Sequence, residues 1–254
     1  FVVRQLTATL VGMRLSDLKV NPAEIGGGFG GKTVVYVEPV AMLLSKKSGH
    51  PVKLGMSREE VFKASGPTSG SAMHVKIGAR KDGTITAATG VFKYPAGAFP
   101  GSPVMNGCLC AFAPYAIKNV KTTGYDVVSN RPKAAAYRAP GSPIAAFAVE
   151  STLDILAKKL GIDPLELRRK NATHVGTPMV DGATMSHEGY STTVEALMNH
   201  PGYKQPLGPN QGRGVASGYW FNGGGESGAT LYVNADGTVV VATGSPDIGG
   251  SRAA

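Results

Sequence analysis

Cysteine is nearly absent from this 254-residue chain, which has only Cys108 and Cys110. Separated by one residue, they are poorly spaced to bridge each other, which argues against a small disulfide-stapled secreted fold. Two thiols are also too few for even one four-cysteine iron–sulfur cluster. Long apolar runs are missing: none reaches the ~20 residues that cross a bilayer. No leader segment is visible, and a chain that starts at Phe1 rather than methionine is expected to have lost its natural N-terminus. Acidic residues are scarce, 17 against 26 Lys and Arg, for a net charge of +9. Excess base is one footprint of nucleic-acid binders. Here the basic residues are scattered, in short clusters such as Arg168-Arg169-Lys170, and no aromatics interleave with them to stack bases. Solvated faces, or docking to an acidic partner subunit, account for the charge, so neither a nucleic-acid partner nor a membrane span is expected.

The chain is 42% hydrophobic, enough to pack one large domain or two smaller ones. Its 35 glycines and 17 prolines imply a loop-rich, mixed structure. The densest glycine run is Gly26-Gly27-Gly28-Phe29-Gly30-Gly31-Lys32. Inside a helix or strand each glycine would cost roughly 0.5–1 kcal/mol relative to alanine. Such runs usually let backbone N–H groups approach a phosphate or another oxyanion. Extended to Thr33, the run fits both G-x-G-x-x-G and G-x-x-x-x-G-K-[ST]. The flanks argue against a nucleotide loop. Pro22 cannot donate within a central strand, and Pro39 would fall in the second turn of a P-loop helix, at a cost of about 3 kcal/mol. No strand ending in Asp is present to hold magnesium. A structural turn with no ligand is the bland alternative.

Helices are expected at Val2–Met13, at Val37–Lys47 with Gly49 as stop, and at Pro143–Leu160 ended by Gly161. In the last of these, Ile144, Phe147, Ala148, Leu153, Leu156 and Leu160 form one apolar stripe. Asp163 caps a further helix that starts at Pro164, with Glu166 closing a capping box and Arg168, Arg169 and Lys170 complementing its C-terminal dipole. Pro51–Leu54 reads as a short strand and Asn119–Ser129 as extended. His74–Gly78 and Thr84–Ala88 form a hairpin across Lys81-Asp82-Gly83. A second hairpin joins Thr230–Val233 to Thr238–Ala242. These elements give an α+β fold of mixed sheets with packed helices. The aperiodic Gly/Pro/Asn/Gln stretch around 205–213 is read as a linker between a domain over 1–204 and the start of another over 214–254. The chain stops just after a strand, inside the glycine-rich Gly244–Ser251, which suggests a piece of a larger polypeptide or one subunit of a split one.

Three ordered segments resemble the molybdopterin-binding part of the xanthine dehydrogenase/aldehyde oxidase family, a likeness running over nearly the whole chain. The first is Ile25–Lys32, similar to that family's G-G-G-F-G-G-K loop. The second is Ala136-Tyr137-Arg138-Ala139-Pro140-Gly141 with Glu150, Asp163-Pro164, Arg168 and Asn171, similar to its R-x-x-G…E…D-P-x-E-x-R-x-x-N stretch. The third is Gly244–Gly250, similar to a glycine-rich cofactor loop. The resemblance implies a molybdenum cofactor, molybdopterin, with the cytosine dinucleotide as one form. Gly27, Gly28, Phe29, Gly30, Arg138, Gly249 and Gly250 would line it. The Phe29 amide and Arg138 would stand nearest the metal, since amides and a fixed cation can hold an oxo ligand's charge. For Arg138 a structural salt bridge is the alternative.

The resemblance also implies hydroxylation of an electrophilic carbon with water-derived oxygen, assisted by a glutamate base in a G-x-G-E context. That base would lie beyond Ala254, and an oxo-binding glutamine would lie before Phe1. Glu38 and Glu226 match neither, so no catalytic residue is assigned and the chain alone is expected to be inactive. The substrate side would be Thr33, where xanthine-type enzymes carry glutamate, with Asn106, Pro140 and Tyr219. By the resemblance Asn106 replaces a substrate-side arginine and Pro140 a stacking phenylalanine, while Tyr219 keeps a second stacking aromatic, which disfavours purines and favours aldehydes or aromatic N-heterocycles. With no cysteine at Ala139 or Pro140, carbon monoxide oxidation is disfavoured. The third loop carries Gly250 where the family has glutamine. Iron–sulfur clusters and FAD would sit on partner subunits, with another chain carrying the C-terminal molybdopterin-domain segment, in a cytoplasmic complex. The rival reading is a non-catalytic scaffold that kept the fold.

Overall fold

A computed structural model describes residues 2–21, 23, 25–187, 189–221 and 226–244. The chain divides into two units: Phe1–Ser65 with Ala135–Arg138 and Phe221–Ala254, and Gly66–Ala134 with Ala139–Trp220.

In the first unit, α1 (Val2–Val11) leads into a 3-10 turn at Leu15–Asp17. Arg4 on α1 donates to the carbonyls of Leu18 and Leu15 at 2.7 and 2.5 Å, so the chain folds back on its first helix. The glycine run follows, then α2 (Glu38–Ser48), ended as expected by Gly49 in the left-handed conformation at φ 71°. Residues 51–54 pair with no described strand, contrary to the strand expected there. The chain instead runs into α3 (Arg58–Ala64), whose capping box sequence reading missed. The Glu60 N–H donates to Ser57 Oγ, and the Ser57 N–H donates to the Glu60 carboxylate.

The second unit is built on three strands, β1 (Ala72–Ala79), β2 (Ile85–Gly97) and, after helix α4 (Val104–Cys110), β3 (Asn119–Val128). β1 pairs antiparallel to β2 through the expected hairpin, and β3 lies parallel on β2's other side. A parallel neighbour needs a crossover, and the segment holding α4 supplies it. Along β2 alternate residues turn inward: Phe92, Tyr94 and Ala96 are fully buried. α5 (Ser142–Leu160) covers this face with its i, i+4 row Ala145, Val149, Leu153 and Ala157, each at most 1% exposed. The expected stripe is therefore corrected. Phe147 is 73% exposed, while Ile144, Leu156 and Leu160 pack at the rim of the core. Of the expected stripe only Leu153 lies in the fully inward row, which it shares with Val149 and the small Ala145 and Ala157.

α5 starts where Gly141 meets α4. Gly141 has φ 90°, and a Cβ there would lie 2.2 Å from the Pro103 carbonyl oxygen, so only glycine fits. The buried Tyr94 hydroxyl donates to the Gly141 carbonyl at 3.3 Å.

α6 (Pro164–Lys170) is capped by Asp163, whose carboxylate accepts from the Leu165 and Glu166 N–H groups. Glu166 pairs with Arg169 and closes no capping box. Arg168 does not decorate a solvated helix end: it is 0% exposed and donates to Glu150, itself 5% exposed, at 2.9 Å. Tyr115 donates its hydroxyl to the other Glu150 oxygen at 2.6 Å. Arg168 also reaches Asp154 at 2.9 Å and the Pro164 carbonyl at 3.0 Å. Burial alone would lower the guanidinium's pKa; the acidic groups around it reverse that, and it is raised. Burial pushes the Tyr115 phenol well up. Asn171 closes the sequence motif structurally, accepting from the Ile85 N–H and donating to the Gly83 and Leu167 carbonyls. It thereby pins the β1–β2 turn to α6.

α7 (Tyr190–Asn199) and α8 (Pro201–Lys204) follow. Residues 205–213, read as a linker, run without helix or strand inside the second unit, with Arg213 donating to the Gly202 and Gln205 carbonyls. The second expected hairpin is β4 (Ala229–Val233) and β5 (Val239–Thr243), in the first unit. The α+β class is as expected.

Removing one member of a buried pair leaves the other charge uncompensated. Glu150→Ala should lower unfolding stability by about 3–5 kcal/mol in a urea titration; a loss below about 1 kcal/mol would show that Arg168 finds equivalent partners without it.

At the β1–β2 turn, Asp82 accepts from the Thr84 N–H and from Lys170, which lowers its pKa to about 2. The depressed value means its stabilising contribution is complete above the unfolded carboxylate range and is lost as pH falls through about 2. NMR titration of the Asp82 carboxyl should give a midpoint near 2, and Lys170→Met should move it upward.

Candidate functional site

The glycine run of the first unit is a chain of tight turns. Gly27, Phe29 and Gly30 all have positive φ, at 108°, 50° and 103°. The Gly31 N–H donates to Gly28 at 2.7 Å and the Thr33 N–H to Gly30 at 3.1 Å. For phenylalanine the left-handed conformation is strained, and such strain persists only where the surroundings over-determine it. The surroundings here are named. The Arg138 N–H donates to the Phe29 carbonyl at 2.7 Å. The Phe29 and Tyr137 rings meet with centroids 6.0 Å apart. Gly30 packs on Ala136, 3.1 Å from where a Cβ would lie. The Tyr36 hydroxyl donates to the Gly31 carbonyl at 2.9 Å.

These contacts occupy the loop's carbonyls and leave its donors. Among the described residues, the N–H groups of Gly27, Gly28, Phe29 and Gly30 have no protein acceptor. Arg138 is exposed, and its guanidinium has no ion-pair partner among the described residues, so the salt-bridge alternative finds no support there. The donor set suits an oxygen-rich, negatively charged group held by hydrogen bonds. Among the described residues no three His, Cys, Asp or Glu side chains gather to hold a metal directly. A metal carried by its own organic ligand, as in molybdopterin, fits this chemistry.

The structure thus brings Gly27, Gly28, Phe29 and Gly30 together with Arg138. Thr33 lies on the same loop, with its hydroxyl donating to the Gly30 carbonyl at 2.7 Å. Asn106, Pro140 and Tyr219 belong to the second unit and gather around the start of α5. Pro140 precedes Gly141; Asn106 precedes Gly107, whose N lies 2.9 Å from where a Gly141 Cβ would stand. The Ser142 hydroxyl donates to the Tyr219 carbonyl at 2.6 Å. Ala139, like Phe29, has positive φ, at 52°. A groove of about 900 Å³ runs alongside, lined by Ala139, Pro143, Phe147 and Tyr219 among others. Burial raises the pKa of the Tyr219 phenol above its ordinary value. Gly249 and Gly250 lie outside the described residues. Sequence reading missed Tyr36 and Tyr137; an aromatic directly before Arg138 was the available sign of the second.

Residues 1–172 match the molybdopterin cofactor-binding domain. The nicotinate dehydrogenase large molybdopterin subunit of Eubacterium barkeri is 32% identical over 192 residues, 74% of this chain and 45% of that one. The xanthine dehydrogenase molybdenum-binding subunit of Escherichia coli O157:H7 is 32% identical over 275 aligned residues, 98% of this chain and 35% of that one. In three dimensions, aldehyde oxidoreductase from Desulfovibrio gigas superposes with a TM-score of 0.74 at 28% identity, covering 94% of this chain and 28% of that one. The chain belongs to the molybdopterin cofactor-binding domain family, that of xanthine dehydrogenase and aldehyde oxidoreductase molybdenum-binding subunits. It spans less than half the length of these relatives. Among the described residues no helix is long and apolar enough to cross a membrane.

The loop geometry predicts a contrast between neighbouring glycines. Gly30→Ala forces a side chain into positive φ and against Ala136, and should cost about 1–3 kcal/mol. At Gly26 a Cβ would meet nothing within 4 Å, and Gly26→Ala should be nearly neutral. Unfolding midpoints of the two variants measure the difference; equal midpoints would show that the loop relaxes around either side chain.

Proposed function

We propose that this chain is the molybdopterin-binding portion of an oxidoreductase that hydroxylates an aldehyde or aromatic N-heterocycle with water-derived oxygen. The observation that carries the reading is the row of N–H donors at Gly27–Gly30, held open by positive φ and braced from behind by Arg138 and Tyr137. Family membership supports it. When bound, the molybdenum cofactor supplies the two-electron oxidation. The chain's own part is binding and orientation: Gly27, Gly28, Phe29 and Gly30 donate to its oxygens, the fixed charge of Arg138 balances it, and Gly249 and Gly250 complete the wall. Preorganised amides and a cation need no rearrangement when negative charge develops.

On the substrate side we assign Thr33, Asn106, Pro140 and Tyr219. With its hydroxyl engaged by Gly30, Thr33 presents a methyl group in place of a charge, which suits a neutral substrate better than a purine. A pocket without partners for a purine's polar edge leaves those groups unpaired and rejects it. The reading includes the cytosine dinucleotide as one cofactor form, iron–sulfur and flavin subunits that carry electrons away, a further molybdopterin-domain segment bearing the base, a cytoplasmic complex, and a domain boundary at 205–213. On this reading the 254 residues alone do not turn over.

Metal and pterin analysis of the natively isolated complex tests the proposal. Molybdenum and pterin at near one per chain, with oxidation of benzaldehyde or quinoline well ahead of xanthine, is the expected result. An intact complex without either would favour the scaffold reading, and efficient xanthine oxidation alone would overturn the substrate assignment.

A further inference from the structure

The segment Gly214–Trp220 has no helix or strand, yet it separates two hollows of the second unit. On one side is the groove of about 900 Å³ that Tyr219 shares with Ala139 and Phe147. On the other is a hollow of about 370 Å³ walled by Leu165, Met185, Val194 and Leu197. Val215 to Tyr219 line both. An aperiodic strap between two open spaces has no ladder to hold it, so its position must come from side chains.

Four contacts supply it. The Arg168 guanidinium donates to the Val215 carbonyl at 3.0 Å. The Ser217 N–H donates to Glu150 Oε2 at 2.7 Å. The Tyr190 and Ser217 hydroxyls are 2.6 Å apart. The Ser142 hydroxyl donates to the Tyr219 carbonyl at 2.6 Å. The buried ion pair thus spends one bond from each of its members on the strap, and Ser142 and Tyr190 fasten it between and beyond.

We infer that Glu150, Arg168, Ser142 and Tyr190 are positioning residues that seat this strap and hold Tyr219 where it lines the groove, so that they set how large a substrate the groove admits. With the anchors in place, the strap keeps the groove narrow. Released, it has the apolar hollow behind it to sink into, and the groove widens. The part given to Tyr219 in substrate selection rests on the functional reading above; the anchoring of the strap does not.

The test uses the double variant Ser142→Ala/Tyr190→Phe in the complete complex, because it removes two anchors and leaves the buried charges paired. Amide hydrogen exchange across 214–220 should quicken by about threefold to tenfold for each bond lost, while α5 and α6 keep their protection. Unchanged exchange in the strap overturns the inference. In oxidation assays the double variant should raise KM for benzaldehyde with kcat little altered, and raise kcat/KM for 2-naphthaldehyde relative to benzaldehyde by about threefold or more. An unchanged ratio with a loosened strap would overturn the size-setting role. Tyr219→Leu provides the control: if KM is indifferent to it, or if the wild-type complex turns over neither aldehyde and not quinoline either, the functional reading fails while the exchange result still decides the anchoring.

Discussion

Burying a charge without a partner is costly enough that proteins seldom do it, and the second unit is arranged around meeting that constraint once. Arg168 lies wholly inside, so its guanidinium requires a carboxylate, and Glu150 on α5 supplies it. Glu150 in turn requires donors for its second oxygen, which Tyr115 provides from the segment between α4 and β3. Each requirement ties another element to the same point. α5 and α6 cannot slide past each other, and Tyr115 cannot leave its place below them, without stranding a polar group. The apolar row Ala145, Val149, Leu153 and Ala157 supplies the bulk of the burial. Apolar contact is non-directional; the ion pair gives the packing its register.

The later part of the second family-like segment, from Glu150 to Asn171, is therefore largely architecture. Asp163 caps α6, Arg168 pairs with Glu150, and Asn171 fastens the turn before Ile85. On the proposed function, the contacts to the cofactor fall to residues with less conspicuous side chains. In the glycine run it is the backbone that presents donors, and the side chains around it, Tyr36 and Tyr137, act as braces.

How much could be read from residues alone follows from the range of the forces involved. Gly49 and Gly161 as helix stops, Asp163 as a cap and the turn at Asp82-Gly83 depend on neighbours a few positions away, and the sequence displays all of those neighbours. The inward row of α5 depended on which helix face met the sheet. Phe147 counts as core on hydropathy but faces out, because the face that meets the sheet is the row of Ala145, Val149, Leu153 and Ala157. Arg168 looked like a dipole complement because its partner lies 18 residues away in sequence. The strand expected at Pro51–Leu54 had suitable residues but, among the described residues, no neighbour to pair with. Of the candidate site, the sequence offered the glycine loop and Arg138 as separate segments with an ordered resemblance to one family; that the Arg138 backbone grips the Phe29 carbonyl was not legible, since nothing in either segment names the other.

That grip joins residues more than a hundred positions apart, and it has a temporal side. Ala135–Arg138 belongs with the first unit although the residues on both sides of it belong to the second. A ribosome delivers the chain from its N-terminus at about 5–20 residues per second, so the glycine loop emerges several seconds or more before its brace. Until Arg138 is out, Phe29 has nothing to hold it in the left-handed conformation, and the loop is free to sample ordinary turns. The brace on the glycine loop is thus a late-arriving part of an early-made segment, and the left-handed turn at Phe29 can mature only once the residues around Arg138 have emerged.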